Sequence, residues 1–554
     1  MTDEQPAFGT CRHSPLAGCV GRSAVHALHG MVATSQPLAV QAGLAVLQRG
    51  GNAVDAAIAT NAMLGVVEPM SCGIGGDLFA LVWEARTGKL HGLNASGRSP
   101  RAATLEAMAS RGLSQIPASG PLSWSVPGAV DGWEALSARF GTMSLGKLLE
   151  PAVATAELGF PVSEVIAGFW QAAQPALTND TGAASTFLLH GRAPAAGEIF
   201  RNPGLARSYR EIAERGAEAF YRGRIAREIV AFSQQSGGLF AADDFASTSA
   251  SWVDPVSTTY GGVEVWEIPP PGQGIAVLQM LNLIESEDLA AMGPASADYW
   301  HVFVEAKKLA YADRARLYGD PDFARVPVAE LISKKYASER KRRIDRRRAG
   351  AGIEPGDPFR SDTVYLSVVD EQRNCVSLIQ SIYHQFGSGS VPPGLGFALQ
   401  NRGSQFSLDP RHPNRLEPRK RPFHTIIPAL ATRGGRPWFV FGVMGADMQP
   451  QGQVQVLVNL LDFGMNVQAA GEAPRIEHLG SATPTGGSEE EGGGVVVAEE
   501  GIPDPVLDEL SRRGHRVART IRNGGGYQGI LIDAETGALQ GGSEARSDGC
   551  AAGY

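Results

Sequence analysis

The chain has 554 residues, enough for three or four domains at about 150 residues each. Its 43% hydrophobic and 19% charged content is ordinary globular usage, which excludes disordered and fibrous architectures. The 49 basic and 57 acidic residues leave a net charge of -8, which argues against a nucleic-acid or anionic-membrane partner for the whole molecule.

Five scattered cysteines (Cys11, Cys19, Cys72, Cys375, Cys550) form no CxxC pair, so neither a disulfide framework nor a zinc site is expected. The N-terminal segment lacks a basic stretch followed by an apolar one. No apolar run reaches about 18 residues. The expected compartment is therefore the cytoplasm, with no membrane partner.

In chain order, helix and strand signals alternate, as in α/β or α+β enzymes. Residues 31–66 read as two helices. Ser35 caps the first, Pro37 sits in its first turn, Ala39, Ala42, Leu44 and Leu47 form its apolar stripe, and Gly50-Gly51 ends it. The second, from about Ala53 to Val66, is Ala-rich and suited to close packing. Residues 71–76 make a glycine-rich entry into a hairpin of 78–83 and 90–93 about the Thr87-Gly88 turn. Residues 130–260 are mainly helical, 263–268 is a strand, 269–272 a rigid turn, 275–284 a buried helix and 300–317 a longer one. The stretch 334–348 carries nine Lys/Arg and reads as a solvated helix end, with a Gly/Pro-rich linker over 349–361. Beyond it, 364–369, 376–382 and 438–443 are strands and a helix follows near 454–461. Residues 480–494 read as a mobile surface insertion. No period of about 20–50 residues recurs, which excludes a solenoid.

Gly524-Gly525-Gly526-Tyr527-Gln528-Gly529 matches GxGxxG, but Ile530-Leu531-Ile532 reads as a strand where a dinucleotide site needs a helix, so it marks a turn. P-loop, HExxH and GxSxG patterns are absent, and the 11 histidines fall at no ligand spacing, so neither metal nor other cofactor is expected. Composition leaves one segment unexplained, Arg360-Ser361-Asp362-Thr363-Val364-Tyr365-Leu366-Ser367-Val368-Val369-Asp370. A threonine hydroxyl is a weak nucleophile that needs a nearby base. Its own α-amine, titrating near about 8, can serve once the preceding peptide bond is cut. The γ-methyl restricts χ1 and holds the hydroxyl in one orientation. From these residues alone, an ordinary strand-edge threonine remains the plainer account.

The surrounding text changes that weighting. Gly30-Met31-Val32-Ala33-Thr34-Ser35, the run 50–67 (GGNAVDAAIATNAMLGVV), Gly73-Ile74-Gly75-Gly76, Pro269-Pro270-Pro271, Ala310-Tyr311-Ala312-Asp313-Arg314, Gly319-Asp320-Pro321-Asp322, Thr363 with Ser367-Val368-Val369-Asp370, and Ala552-Gly553-Tyr554 occur in order. From about Met31 to Tyr554 the chain resembles the gamma-glutamyltransferase (gamma-glutamyltranspeptidase) family of N-terminal nucleophile hydrolases. The resemblance implies an α+β fold, a four-layer αββα sandwich formed jointly by two autoprocessed chains. It implies cleavage between Asp362 and Thr363, giving a large chain 31–362 behind an extension 1–30, and a small chain 363–554. The two chains form a heterodimer, with higher assembly left open. Thr363 is then the nucleophile and, through its freed amine, the base. Ser381 takes the place of a supporting second threonine, and Gly445-Ala446 that of the paired glycines of the oxyanion hole.

The implied reaction is hydrolysis or transfer of γ-glutamyl groups from glutathione-like amides, but the specificity positions depart from the family. The segment of the α-carboxylate-binding arginine has Ser96 at that position and Arg98 two residues later. The acid that holds the substrate ammonium becomes Gln405. Further substrate positions become Tyr383, Arg402 and His424-Thr425, and the Arg402 fork suits a carboxylate. The loop 408–419 is short for a lid, which favours water over an acceptor amine. The alternatives are the same machinery acting on another carboxylated amide, of oxamate or glutaryl/cephalosporin type, and an unprocessed, non-catalytic homologue.

Overall fold

The computed structural model describes residues 21–350, 363–487, 492–520 and 525–554. The readings that fall on Cys11, Cys19, the linker up to Asp362, Gly524 and residues 488–491 lie outside the described residues.

Alternation along the strands builds the layers. In the Val364–Val369 strand, Val364, Leu366 and Val368 pack into one core, while Tyr365 and Val369 point to the other face and join a second. The strand Asp77–Glu84, two places along the same sheet, divides the same way, with Leu78, Ala80 and Val82 on one side and Phe79, Leu81 and Trp83 on the other. Strands apolar on both faces must be covered on both.

Two 7-stranded antiparallel sheets result. One runs Cys550–Gly553, Met31–Thr34, Val364–Val369, Cys375–Ser381, Asp77–Glu84, Lys89–Ala95, Ser251–Val253. The other runs Val25–Ala27, Leu539–Ser543, Tyr527–Ile532, Arg436–Val443, Ala429–Arg433, Val263–Glu267, Val256–Tyr260. They face each other across a core of Phe79, Tyr365, Ile379, Leu430, Val440 and Ile530. The helices Pro37–Gln48 and Ala53–Val67 cover the outside of the first sheet. Gly274–Ile284, Ala297–Leu317 and Met448–Leu461 cover the outside of the second. This is the expected αββα order. Each sheet mixes strands from before and after the linker, so neither segment could close a core alone.

Several local readings change. Ser35 does not cap the first helix: Gln36 is the N-cap, Pro37 takes the first position, and the Ser35 hydroxyl donates to Glu68 instead. The second helix starts with a full capping box from Asn52 and Asp55 and is buried along its length. Val25–Ala27, within the expected extension, pairs with Leu539–Ser543 as an edge strand. Within 130–260, Ser251–Val253 and Val256–Tyr260 are strands. The basic stretch is ion-paired, Arg340 to Asp313 at 3.0 Å and Arg346 to Glu287 at 2.6 Å. Residues 480–482 and 484 are buried, not a mobile surface. No described helix is long and apolar enough to cross a membrane.

Candidate active site

Strand register brings three distant residues into one row. Val364 pairs with Gln380 and Ser381 with Asp77, so Thr363, Ser381 and Asp77 are neighbours across three strands. Side-chain alternation turns all three toward the space between the sheets. Thr363 is 1% exposed, and its Oγ1 donates to Ser381 Oγ at 3.2 Å. Ser381 Oγ also accepts the Tyr383 N–H at 2.8 Å. The Gly73–Gly76 loop must pass close by: a Cβ on Gly76 would lie 2.3 Å from the Ser381 carbonyl oxygen.

The expected oxyanion turn has its own scaffold. Gly445 has φ 110° and Ala446 φ 46°, the left-handed region that non-glycine residues enter at a cost. The turn is held there from below. Fully buried Arg314 forks onto Asp447, Nη1 to Oδ1 at 2.7 Å and Nη2 to Oδ2 at 3.0 Å. Gln273 Nε2 donates to the carbonyls of both Ala446 and Thr425 at 2.8 Å. The Gly445 and Ala446 N–H groups are not taken up by any described residue. They sit just before the N-terminus of Met448–Leu461, where the helix dipole favours negative charge.

A cavity of about 1430 Å³ contains Thr363, Tyr383, Gln405, Gly445 and Ala446 in its lining. Arg402 lies behind Tyr383, its guanidinium carbon 4.3 Å from the ring centroid. It is 0% exposed, and its Nη1 donates to Thr425 Oγ1 at 2.8 Å. Its Nε and Nη2 have no hydrogen-bond partner among the described residues. Burial lowers the Arg402 pKa to about 10, against which the neighbourhoods of Tyr383 and Asp77 act, so the guanidinium is charged at neutral pH. Such a fork has the geometry that pairs with carboxylates, but Arg402 is not itself in the cavity lining.

His424 is buried and occupied. Its Nδ1 faces the Pro422 carbonyl at 2.8 Å, so that nitrogen carries a proton, and its Nε2 meets Asp77 Oδ2 at 2.7 Å. Asp77 Oδ1 accepts from Gly97 N at 2.8 Å, Gly128 N at 3.1 Å and Gln400 Nε2 at 2.9 Å. Burial lowers the His424 pKa, against which its hydrogen bond to Asp77 acts. No described carboxylate hydrogen-bonds Arg402. His384, stacked on Tyr383 at 4.4 Å, is held neutral: burial first and Arg402 second push it down to about 4.

Arg98 is not in the cavity lining. It bonds Asp322 at 2.8 Å, Asp320 at 3.5 Å and the Arg419 carbonyl at 3.0 Å, while Ser96 Oγ donates to Asn94 at 2.6 Å. Asp77, Gln273 and Arg314 are structural supports that the sequence reading did not single out. Arg314 stood in the Ala310–Arg314 motif and Gln273 just after the proline run, but neither pattern carried a role. Elsewhere, His301, Glu305 and His515 come within 4.8 Å of one another. Their atoms are already engaged, His301 Nδ1 with His515 Nε2 at 2.8 Å and Glu305 with the Lys308 ammonium at 2.8 Å. A lysine cation at that position opposes a metal ion.

The gamma-glutamyltranspeptidase family profile matches residues 39–554. The glutathione hydrolase-like YwrD proenzyme of Bacillus subtilis (strain 168) is 39% identical, covering 94% of this chain and 98% of its own. The acylase ACY 1 proenzyme of Pseudomonas sp. (strain SE83) is 35% identical, covering 98% of this chain and 94% of its own. The crystal structure of cephalosporin acylase from Bacillus halodurans superposes with a TM-score of 0.88 at 42% identity, covering 100% of this chain and 99% of that one. With its two-sheet architecture and the Thr363–Ser381 row, the chain belongs to the gamma-glutamyltranspeptidase family of N-terminal nucleophile hydrolases and transferases.

Proposed function

We propose that the chain is the precursor of a two-chain amide hydrolase, cut before Thr363, that prefers acyl groups bearing a carboxylate and no α-ammonium. The observation that carries this reading is the fully buried Arg402 guanidinium with Nε and Nη2 unpaired. Leaving such donors unmade costs about 1–3 kcal/mol, which a bound carboxylate removes. Gln405, at the position of the family's ammonium-binding acid, offers no charge. Short dicarboxylic amides, of oxamate or glutaryl type, fit that polarity better than γ-glutamyl amides.

In the precursor, the Thr363 hydroxyl attacks the Asp362 carbonyl carbon, the peptide C–N bond breaks, and an ester forms as the nitrogen takes the proton. Water hydrolyses the ester and leaves Thr363 with a free α-amine. In turnover that amine takes the Oγ1 proton while Oγ1 attacks the substrate carbonyl. The oxyanion is met by the Gly445 and Ala446 N–H groups. The proton then passes to the leaving nitrogen, the C–N bond breaks and an acyl-enzyme remains. Water, deprotonated by the same amine, releases the carboxylic acid.

Ser381 supports the nucleophile by accepting its hydrogen bond. Hydrolysis over transfer is supported by the loop 408–419, which is tied to the body: Asn414 Nδ2 donates to the carbonyls of Gln405 at 2.6 Å and Pro484 at 2.9 Å. The test is a panel of γ-glutamyl, glutaryl and oxamate-type amides assayed on cleaved enzyme. Highest kcat/KM on a glutaryl or oxamate-type amide is expected. A strong γ-glutamyl preference would contradict the reading.

A further inference from the structure

The cavity that holds Thr363 is also lined by Lys307, His478 and Ser481, which the chemistry at Thr363 leaves unused. Lys307 comes from the helix Ala297–Leu317, His478 from the strand Ile476–Leu479, and Ser481 from the turn that follows it. Lys307 is 1% exposed. Its Nζ donates to His478 Nδ1 at 3.1 Å and to Ser481 Oγ at 2.7 Å. His478 Nε2 faces the Gly493 carbonyl at 2.8 Å, so the ring proton sits there and Nδ1 is an acceptor. Both hydrogen-bond partners of this buried cation are therefore neutral.

No described acid answers it. Glu305 is taken by Lys308 and Asp447 by Arg314, while Glu477 acts on Lys307 only through space. A second cation stands close: Lys307 Nζ and the Arg314 guanidinium carbon lie 4.0 and 3.8 Å from the centroid of the one Tyr311 ring. Burial first, and Arg314 next, push the Lys307 amine well below the ordinary lysine range. A buried cation without a counter-charge is costly, and an incoming anion relieves that cost.

Two donors remain to receive one. An ammonium has three protons, and His478 and Ser481 engage two of them. The Ser481 hydroxyl accepts from Lys307 and keeps its own proton, which no described residue accepts. One free donor on each of two atoms 2.7 Å apart suits the two oxygens of a carboxylate. The pair is also fixed relative to the reaction centre. Gln451 accepts the His478 N–H at 2.8 Å and donates to the Asp447 carbonyl at 2.9 Å, next to the Gly445-Ala446 turn.

We infer that Lys307 and Ser481 form a carboxylate subsite of the reaction cavity, which holds a carboxylate of the substrate away from the amide bond that is cut. Either the acyl or the amine portion of an amide can carry that group, and the experiment separates the two. The inference rests on the amide-hydrolase reading above and not on Arg402.

Two substrate pairs are assayed on cleaved enzyme. Glutaryl anilide against butyryl anilide places the carboxylate on the acyl side, and butyryl 3-aminobenzoate amide against butyryl anilide places it on the amine side. In the wild type the carboxylate raises kcat/KM by at least about tenfold in one pair, the scale of a hydrogen bond to a charged group. Lys307→Met brings that ratio close to one and Ser481→Ala lowers it severalfold, whereas Lys335→Met, at an exposed lysine, does not move it. The neutral anilide keeps its kcat/KM in both subsite variants, which a merely structural loss would not allow. Ser481→Ala keeps the test open if Lys307→Met fails to fold. Wild-type ratios near one in both pairs, or ratios that the subsite variants leave unchanged, overturn the subsite. Enzyme that hydrolyses none of these amides defeats the amide-hydrolase reading instead. Calorimetry with glutarate and 3-acetamidobenzoate then decides the subsite: binding of either probe weakened at least about tenfold by Lys307→Met or Ser481→Ala supports it, and no binding or unchanged binding overturns it.

Discussion

Thr363 Oγ1 lies 3.2 Å from Ser381 Oγ: Thr363 immediately precedes the strand Val364–Val369, and Ser381 ends the adjacent antiparallel strand. The contact is fixed by strand register, so it does not depend on a mobile loop. Ser381→Ala keeps the strand and removes the acceptor. Self-cleavage and turnover are expected to slow by about tenfold or more, the scale of one hydrogen bond to a reacting group. Ser381→Thr restores both. Rates of precursor loss and amide hydrolysis, followed side by side, check this.

Ala446 occupies φ 46° with a Cβ, beside Gly445 at φ 110°. Ala446→Gly removes a left-handed penalty of about 1 kcal/mol while keeping the amide, so turnover is expected to persist. Ala446→Val adds a β-branched side chain at the same dihedral, and it is expected to lower kcat and leave more uncut precursor. Steady-state kinetics and denaturing gels of the two variants provide the comparison.

Arg402→Met replaces an under-bonded buried cation with an apolar chain of similar length. Carboxylated amides are expected to lose at least about a hundredfold in kcat/KM, consistent with losing a buried charge pair. The melting temperature is expected to hold or rise, because the unpaired guanidinium is a cost in the free protein. A melting temperature that falls by several degrees would show that the guanidinium has a structural partner.

Asp77 joins Gly97, Gly128, Gln400 and His424 through one carboxylate. Asp77→Ala strands these donors and is expected to cost about 3–5 kcal/mol in urea unfolding. Asp77→Asn still accepts from the glycine amides and can donate to His424 Nε2, so its loss is expected to be smaller. Equal losses for the two variants would contradict a role through hydrogen bonding.

His384 is depressed to about 4 by burial and by Arg402, below the roughly 6.5 of an unfolded chain. The unfolded state therefore takes up a proton in that window that the folded state refuses. Its contribution to stability is complete above about pH 6.5 and is lost as pH falls toward 4. His384→Gln is expected to show a smaller drop in melting temperature between about pH 7 and pH 5 than the wild type.

The layers were legible because alternation and helical stripes are local patterns. Val364–Val369 and the Ala-rich helix Ala53–Val67 follow from residue type alone. Register is not local. Nothing in the strands' own text says that Ser381 pairs with Asp77, a residue some three hundred positions away. Asp77 was therefore invisible as the anchor of His424. Thr363 was legible only through resemblance, since a strand-edge threonine has no pattern of its own. Arg98 illustrates the opposite case: the residue type suggested a carboxylate partner, and the chain supplies two in Asp320 and Asp322. The segment 480–494 reads as mobile by composition, yet Ser481 accepts a hydrogen bond from buried Lys307 at 2.7 Å.

The most direct test is intact-mass analysis of purified, catalytically active protein, with N-terminal sequencing of the smaller species. The account predicts two polypeptides, the smaller beginning at Thr363, and a single uncut polypeptide from Thr363→Ala. Full turnover by an uncut chain, or a small chain beginning at any other residue, would contradict it.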